Sequence, residues 1–138
     1  MGCVFCRIVT GEEPALIVQK TDKAMAFLPR QMSVRGHTLV IPKRHVQNFF
    51  TIPKEDLSAV FMLIKNLAAH YRNALGATGM NILHASGGDA QQSVDHFHIH
   101  LLPRFPGDGV DAWPCLPGCS DHPENMLMSL QIPPEKGN

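Results

Sequence analysis

A chain of 138 residues with 44% hydrophobic content suits one compact domain, because a chain of this size buries a sizeable core without splitting. Lys and Arg number 12 and balance 12 Asp and Glu, so no broad basic field exists to hold a nucleic-acid polymer, while a local pocket for a single nucleotide stays open. No apolar run approaches a membrane span and no charged start with a long apolar stretch marks a secretory signal, which points to the cytoplasm. There the 4 cysteines are reduced, as metal ligands or inert thiols rather than disulfides.

Cys3 and Cys6 form a C-x-x-C that serves as a redox couple, as two ordinary thiols or as half of a metal site. A thioredoxin-like role wants a strand before the motif, and the chain has no room for one. Two imidazoles would complete a tetrahedral zinc site. Residues 7–11 read as a short helical turn ended by Gly11. Residues 15–20 and 24–28 read as strands around a turn at 21–23, and a third strand, 38–41, stops at Pro42. One long helix is expected from about Pro53 to Leu75, with its N-cap near Thr51 and Gly76 closing its end. Leu57, Val60, Phe61, Ile64, Ala68, Tyr71 and Leu75 form its core stripe, which Leu67 widens on one side, with Leu63 just beyond that edge and Met62 well away. Residues 80–85 form a fourth strand that ends in the turn Ser86-Gly87-Gly88-Asp89.

The polar loop 89–93 leads into the most specific stretch of the chain, residues 95–104, where three histidines alternate with apolar residues. Successive side chains on a strand point to opposite faces, so Phe97, Ile99 and Leu101 face a core. His96, His98 and His100 then form one row on the other face, able to act as nucleophile, proton donor or metal ligand. Backbone N–H groups of the preceding loop and the Ser93 hydroxyl can bind phosphate oxygens. From Pro103 onward, prolines and glycines rule out long regular structure, apart from a turn of helix over 126–130. Trp113 is expected to anchor this tail in the core, the alternative being to stack on a base. Cys115, Cys119 and His122 have spacings that suit a second metal but lack a fourth ligand. His70 and His84 are read as ordinary side chains.

The H-x-H-x-H pattern, residues 36–45 (GHTLVIPKRH) and Gln92-Ser93-Val94 together resemble the histidine triad (HIT) superfamily over most of residues 1–105. The resemblance implies an α+β, HIT-like fold: a five-stranded antiparallel sheet, one long helix and one short N-terminal helix, assembled as a homodimer across the long helix. Residues 1–105 would form the domain, and 106–138 a Pro/Gly-rich tail packed on the domain or the partner subunit. The implied activity is cleavage at the α-phosphate of nucleoside phosphoramidates or adenylyl conjugates through a covalent nucleotidyl-histidine. His98 would be the nucleophile, with its far nitrogen bonded to the His96 carbonyl, and His100 would bond phosphate oxygens. Gln92 and Ser93 would line the phosphate site and Ser93 assist the leaving group. His96 would be structural. The resemblance also implies structural zinc on Cys3, Cys6, His45 and His96, the alternative being that His45 and His96 bond each other behind the nucleophile.

Two other functions stay open: a dinucleoside polyphosphate hydrolase, favoured by Leu102-Pro103-Arg104, and a zinc-stabilised nucleotide-binding module with little turnover. A sugar-nucleotide transferase is disfavoured because Phe97 stands where that branch has proline. Pro29 replaces the family's ribose-binding Asp and Ala85 its usual Asn, which leaves base and leaving-group specificity open and makes Arg30, Gln31 or the tail candidate sugar contacts.

Overall fold

Five antiparallel strands form the centre of the computed structural model, which describes residues 2–137, in the spatial order β1-β2-β3-β5-β4. They are β1 (Leu16–Lys20), β2 (Ala24–Leu28), β3 (Thr38–Pro42), β4 (Gly79–Leu83) and β5 (Ile99–Arg104). A short helix, α1 (Val4–Thr10), covers one face and a long one, α2 (Lys54–Leu75), the other. This arrangement explains why β2 and β3 are apolar at nearly every position. Ala24, Ala26 and Val40 face α2, while the alternate Met25, Phe27, Leu39 and Ile41 pack with Phe5 of α1. β1 is an exposed edge, with a register shift between Ile17 and Gln19.

Local chemistry sets the helix ends. α1 starts a turn earlier than residues 7–11 suggest, so it takes in Cys6, and it ends at Gly11 in the left-handed region. α2 ends in the same way at Gly76. At its start the capping position is Pro53 with no side-chain cap, not Thr51, whose N–H bonds to the Asn48 carbonyl in the preceding turn. Asp56 is buried in the first turn and lies 3.6 Å from Arg44, which ties the helix to the loop after β3. The buried face of α2 is Val60, Leu63, Ile64, Leu67 and Tyr71, and the Tyr71 hydroxyl meets Thr38 at 2.7 Å. It is thus rotated from the expected stripe: Leu63 is inside, and Phe61, about 100° further round, is 43% exposed.

The triad strand is shorter than its alternation suggests. Ladder pairing begins at Ile99, and residues 95–98 approach it without regular pairing. The alternation of faces still holds, with Phe97, Ile99 and Leu101 in the α2-side core. In the tail, α3 (Pro123–Leu130) runs two turns rather than one. From Trp113 to residue 137 every side chain is exposed, and Trp113, expected in the core, is 79% exposed. The tail begins against the domain, where Asp108 bonds Arg104, and among the described residues the apolar side chains of α3 are exposed.

Gly36 enters β3 at φ +81, and a Cβ there would lie 3.1 Å from Pro103 Cγ and 3.3 Å from Leu75 Cδ1. Gly76 has a similar φ of +74 with nothing within 4 Å. Gly36→Ala should therefore lower stability by about 2–3 kcal/mol and Gly76→Ala by about 1. Urea unfolding checks this, and equal losses would contradict the close-approach account.

Candidate active site and metal cluster

The segment before β5 places three imidazoles in a confined space. The Phe97 N–H donates to the Val46 carbonyl at 2.7 Å, which pins the chain between His96 and His98. His96 is fully buried; its Nε2–H donates to the Pro42 carbonyl at 2.8 Å, so Nδ1 carries the lone pair. That nitrogen lies 3.4 Å from Cys3 Sγ and 3.6 Å from Cys6 Sγ, and His45 Nδ1 lies 3.2 Å from Cys6 Sγ. One ligand atom from each of Cys3, Cys6, His45 and His96 falls within 4.8 Å of the others. A tetrahedral ion with usual zinc bond lengths spaces its ligand atoms by about 3.3–3.8 Å, so this cluster can hold a metal. The Pro42 carbonyl supplies the outer hydrogen bond that orients a ligating imidazole. His45 and His96 do not bond each other; their rings meet edge to face at 5.1 Å. Burial lowers the His96 pKa, so its ligand nitrogen is free of a proton. Burial first, then bonding to Cys3 and its charge, raises the Cys6 thiol.

His98 is buried against the edge of the Phe5 ring, 5.3 Å between centroids. Its Nδ1–H donates to the His96 carbonyl at 2.7 Å, which leaves Nε2 with a lone pair. Burial chiefly lowers its pKa, aided by the charge of His84 and opposed by the His96 carbonyl. His100 has the opposite protonation. The Ser33 N–H donates to His37 Nδ1 at 3.0 Å, so the His37 proton is on Nε2 and points at His100 Nδ1, 2.9 Å away. His100 therefore carries its own proton on Nε2. Its pKa falls from the usual 6.5 to about 4, through burial first and then the charges of His98, His37 and His84. Two adjacent neutral rings thus offer one bare nitrogen and one N–H.

The loop before the triad is braced by Gln92, which donates to the Gln47 and Val94 carbonyls and accepts from the Gly87 N–H. Both of its side-chain N–H groups are used, so Gln92 shapes the loop and has no N–H left for a phosphate. Gln91 adopts φ 69, strain held by the N–H···O bonds around the Gly88–Ala90 turn. Ser93 is exposed, and no side-chain bond holds its hydroxyl among the described residues. A cavity of about 510 Å³ reaches the histidine row through two of its walls, Phe5, whose ring meets His96 and His98, and Leu39, the ladder partner of His100. Its walls are mainly apolar and include Pro29, with one ion pair, Arg30–Glu13 at 2.5 Å. Arg104 does not face this region; it bonds Asp108 and Asn81 and closes the end of β5. Cys115, Cys119 and His122 form no metal-sized cluster among the described residues, and Cys119 bonds Asp121.

Two further histidines, not expected at the site, bond members of the row. His37 reaches the row because it lies two residues before Leu39, which pairs with His100 in the ladder, and so shares its face. His84 bonds the His98 carbonyl.

A sheet covered on both faces, with an imidazole row beside an apolar cavity, defines a histidine-triad protein. Residues 10–107 match the HIT domain, and the chain belongs to that family. An adenosine 5'-monophosphoramidase of Schizosaccharomyces pombe is 35% identical over 120 residues, 85% of this chain and 86% of the relative. A HIT family structure from Bacillus subtilis superposes with a TM-score of 0.81 at 32% identity, covering 94% of this chain and 92% of that one. A zinc-bound histidine triad protein from Mycobacterium smegmatis gives 0.77 at 36% identity, with 81% of each chain covered. Among the described residues no helix is long and apolar enough to cross a membrane.

Because the folded His100 pKa lies near 4 and the unfolded one near 6.5, the unfolded chain binds more protons between those values. Stability is then fully present above about pH 6.5 and is lost as pH falls toward 4. The urea midpoint should follow that course, with a shallower fall in His100→Gln. An identical slope in the variant would contradict the assignment.

Proposed function

We propose that this protein is a nucleotidyl hydrolase that cleaves at the α-phosphate of nucleoside phosphoramidates or adenylyl conjugates through a covalent nucleotidyl-His98. The observation that carries this is the complementary protonation of the neighbouring rings. His98 Nε2 attacks phosphorus with its lone pair, and the bond from phosphorus to the leaving nitrogen breaks. The leaving nitrogen takes the proton of the Ser93 hydroxyl as it departs, the water of the next step returns a proton to Ser93, and His100 Nε2–H bonds the phosphate oxygens as charge shifts onto them. Water then attacks the phosphorus of the adduct, releasing nucleoside monophosphate and restoring His98. The apolar cavity, within the size range of small-molecule sites, takes the base. His96 takes no part in bond making, since Pro42 holds one of its nitrogens and the sulfur cluster faces the other. A folded His98→Ala variant should release AMP from an adenosine phosphoramidate at least about a thousandfold more slowly than wild type. Wild-type rates in that variant on every accepted substrate would refute the mechanism.

The metal is proposed to be zinc, held by Cys3, Cys6, His45 and His96 and kept structural, with the thiols reduced as in the cytoplasm. It would join the N-terminal segment, the loop after β3 and the approach to β5, three distant parts of the chain. Freshly purified protein should contain about one zinc per chain, and Cys3→Ser should lose it and melt roughly 10 °C lower. A zinc-free wild type or an unchanged melting point would refute this.

The proposal extends to a homodimer that buries Phe61 and Met62, 43% and 55% exposed on α2, and receives the 106–138 tail of the partner subunit beside the 1–105 domain. Sedimentation equilibrium at micromolar concentration should give twice the chain mass; a monomer would refute it.

A further inference from the structure

The β4–β5 ladder runs from Gly79↔Arg104 to Leu83↔His100 and stops, so the His98 carbonyl lies where no strand partner reaches it. That carbonyl accepts instead from the His84 side chain, with Nδ1 at 2.9 Å. A carbonyl has no proton to give, so the proton of His84 is on Nδ1. Its Nε2 then accepts the Ser86 hydroxyl at 2.5 Å, and Ser86 Oγ in turn accepts the Phe49 N–H at 2.8 Å. The bonds run in one direction, from Phe49 N–H through Ser86 and His84 to the carbonyl of His98. The His84 ring lies over Phe97, 4.5 Å between centroids and tilted 30°, with Phe49 at 6.0 Å on its border. Phe97 belongs to the α2-side core, so His84 is behind the imidazole row and does not meet the cavity.

Resting on the reading of His98 as nucleophile, we propose that His84, oriented by Ser86, is a positioning residue that holds the His98 main chain in line for attack where the strand ladder is missing. His98 has three fixed points: its ring on the His96 carbonyl, the Phe97 N–H on Val46, and its own carbonyl on His84. Releasing the third lets the 98–99 peptide turn and swings Nε2, and a displacement of about 1 Å in a reacting group costs on the order of a hundredfold in rate. The same chain of bonds connects the loop at Phe49 to the nucleophile.

The test compares His84→Phe, which keeps a ring on Phe97 without an N–H, with His84→Asn, whose amide N–H stands near the place of Nδ1, and with Ser86→Ala. Turnover of an adenosine phosphoramidate, thermal unfolding and imidazole ¹⁵N spectra are recorded for each. We expect His84→Phe to lower kcat by about 10- to 100-fold with KM within about twofold, and His84→Asn to recover most of the loss. Ser86→Ala should fall between, and it decides the matter if His84→Phe does not fold. Unchanged kcat in His84→Phe, or equal losses in the Phe and Asn variants that follow their melting points, would overturn the proposal. If wild type itself shows no turnover, the hydrolase reading fails and the spectra decide this one. A single Nδ1–H form of His98 in wild type and His84→Asn, giving way to a mixture in His84→Phe, supports positioning; identical spectra overturn it.

Discussion

Between His96 and Leu101 the chain buries side chains on both faces of the sheet, and every later property of the site depends on that constraint. Phe97, Ile99 and Leu101 fill the side under α2, so the histidines must occupy the side under α1, where Phe5 closes over His96 and His98. An imidazole confined in this way is disfavoured as a cation. The depressed pKa values of His96, His98 and His100 follow from burial before anything else. Neutrality then lets backbone carbonyls and neighbouring rings choose the tautomers: Pro42 directs the His96 lone pair to the sulfurs, His96 frees Nε2 of His98, and His37 places a proton on Nε2 of His100. One packing requirement thus yields a lone pair that faces two sulfurs, a second lone pair on Nε2 of His98 and an N–H donor on His100, within five residues.

Much of this was legible in the chain because it depends on short-range periodicity. Alternation over residues 96–101 revealed the row and its opposite face, and Gly11 and Gly76 marked helix ends through the left-handed conformation that glycine tolerates. The four candidate ligands could be assembled from residue types and the family's arrangement. Alternation reports which face a side chain occupies and says nothing of main-chain pairing, so the strand seemed to begin at Asp95 when its ladder begins at Ile99. The α2 stripe was drawn to include Phe61 instead of Leu63, because both are apolar and only the sheet beneath chooses between them. Trp113 was expected inside because large apolar side chains usually find a partner, whereas it is exposed among the described residues.

His37 and His84 were missed for a different reason. Each bonds a partner distant in sequence: His100 lies 63 residues from His37, and the His98 carbonyl 14 residues from His84. Nothing local separates such a histidine from a surface one. Gln92 illustrates the converse, since its place beside the triad suggested ligand contact, whereas its amide is consumed by three bonds that hold the loop. Pro29 stands in the wall of the apolar cavity beside the Arg30–Glu13 pair, where a proline offers no side-chain acceptor.

The proposed chemistry turns on His98 forming a bond to phosphorus. The most direct measurement is intact mass of the protein quenched in acid-free buffer within milliseconds of mixing with an adenosine phosphoramidate, followed by mapping of the modified peptide. The account predicts a transient adenylyl adduct on His98 that decays as AMP appears and is absent from His98→Ala. AMP release by wild type at a rate unaffected by loss of the His98 ring, or an adduct on another side chain, would contradict it.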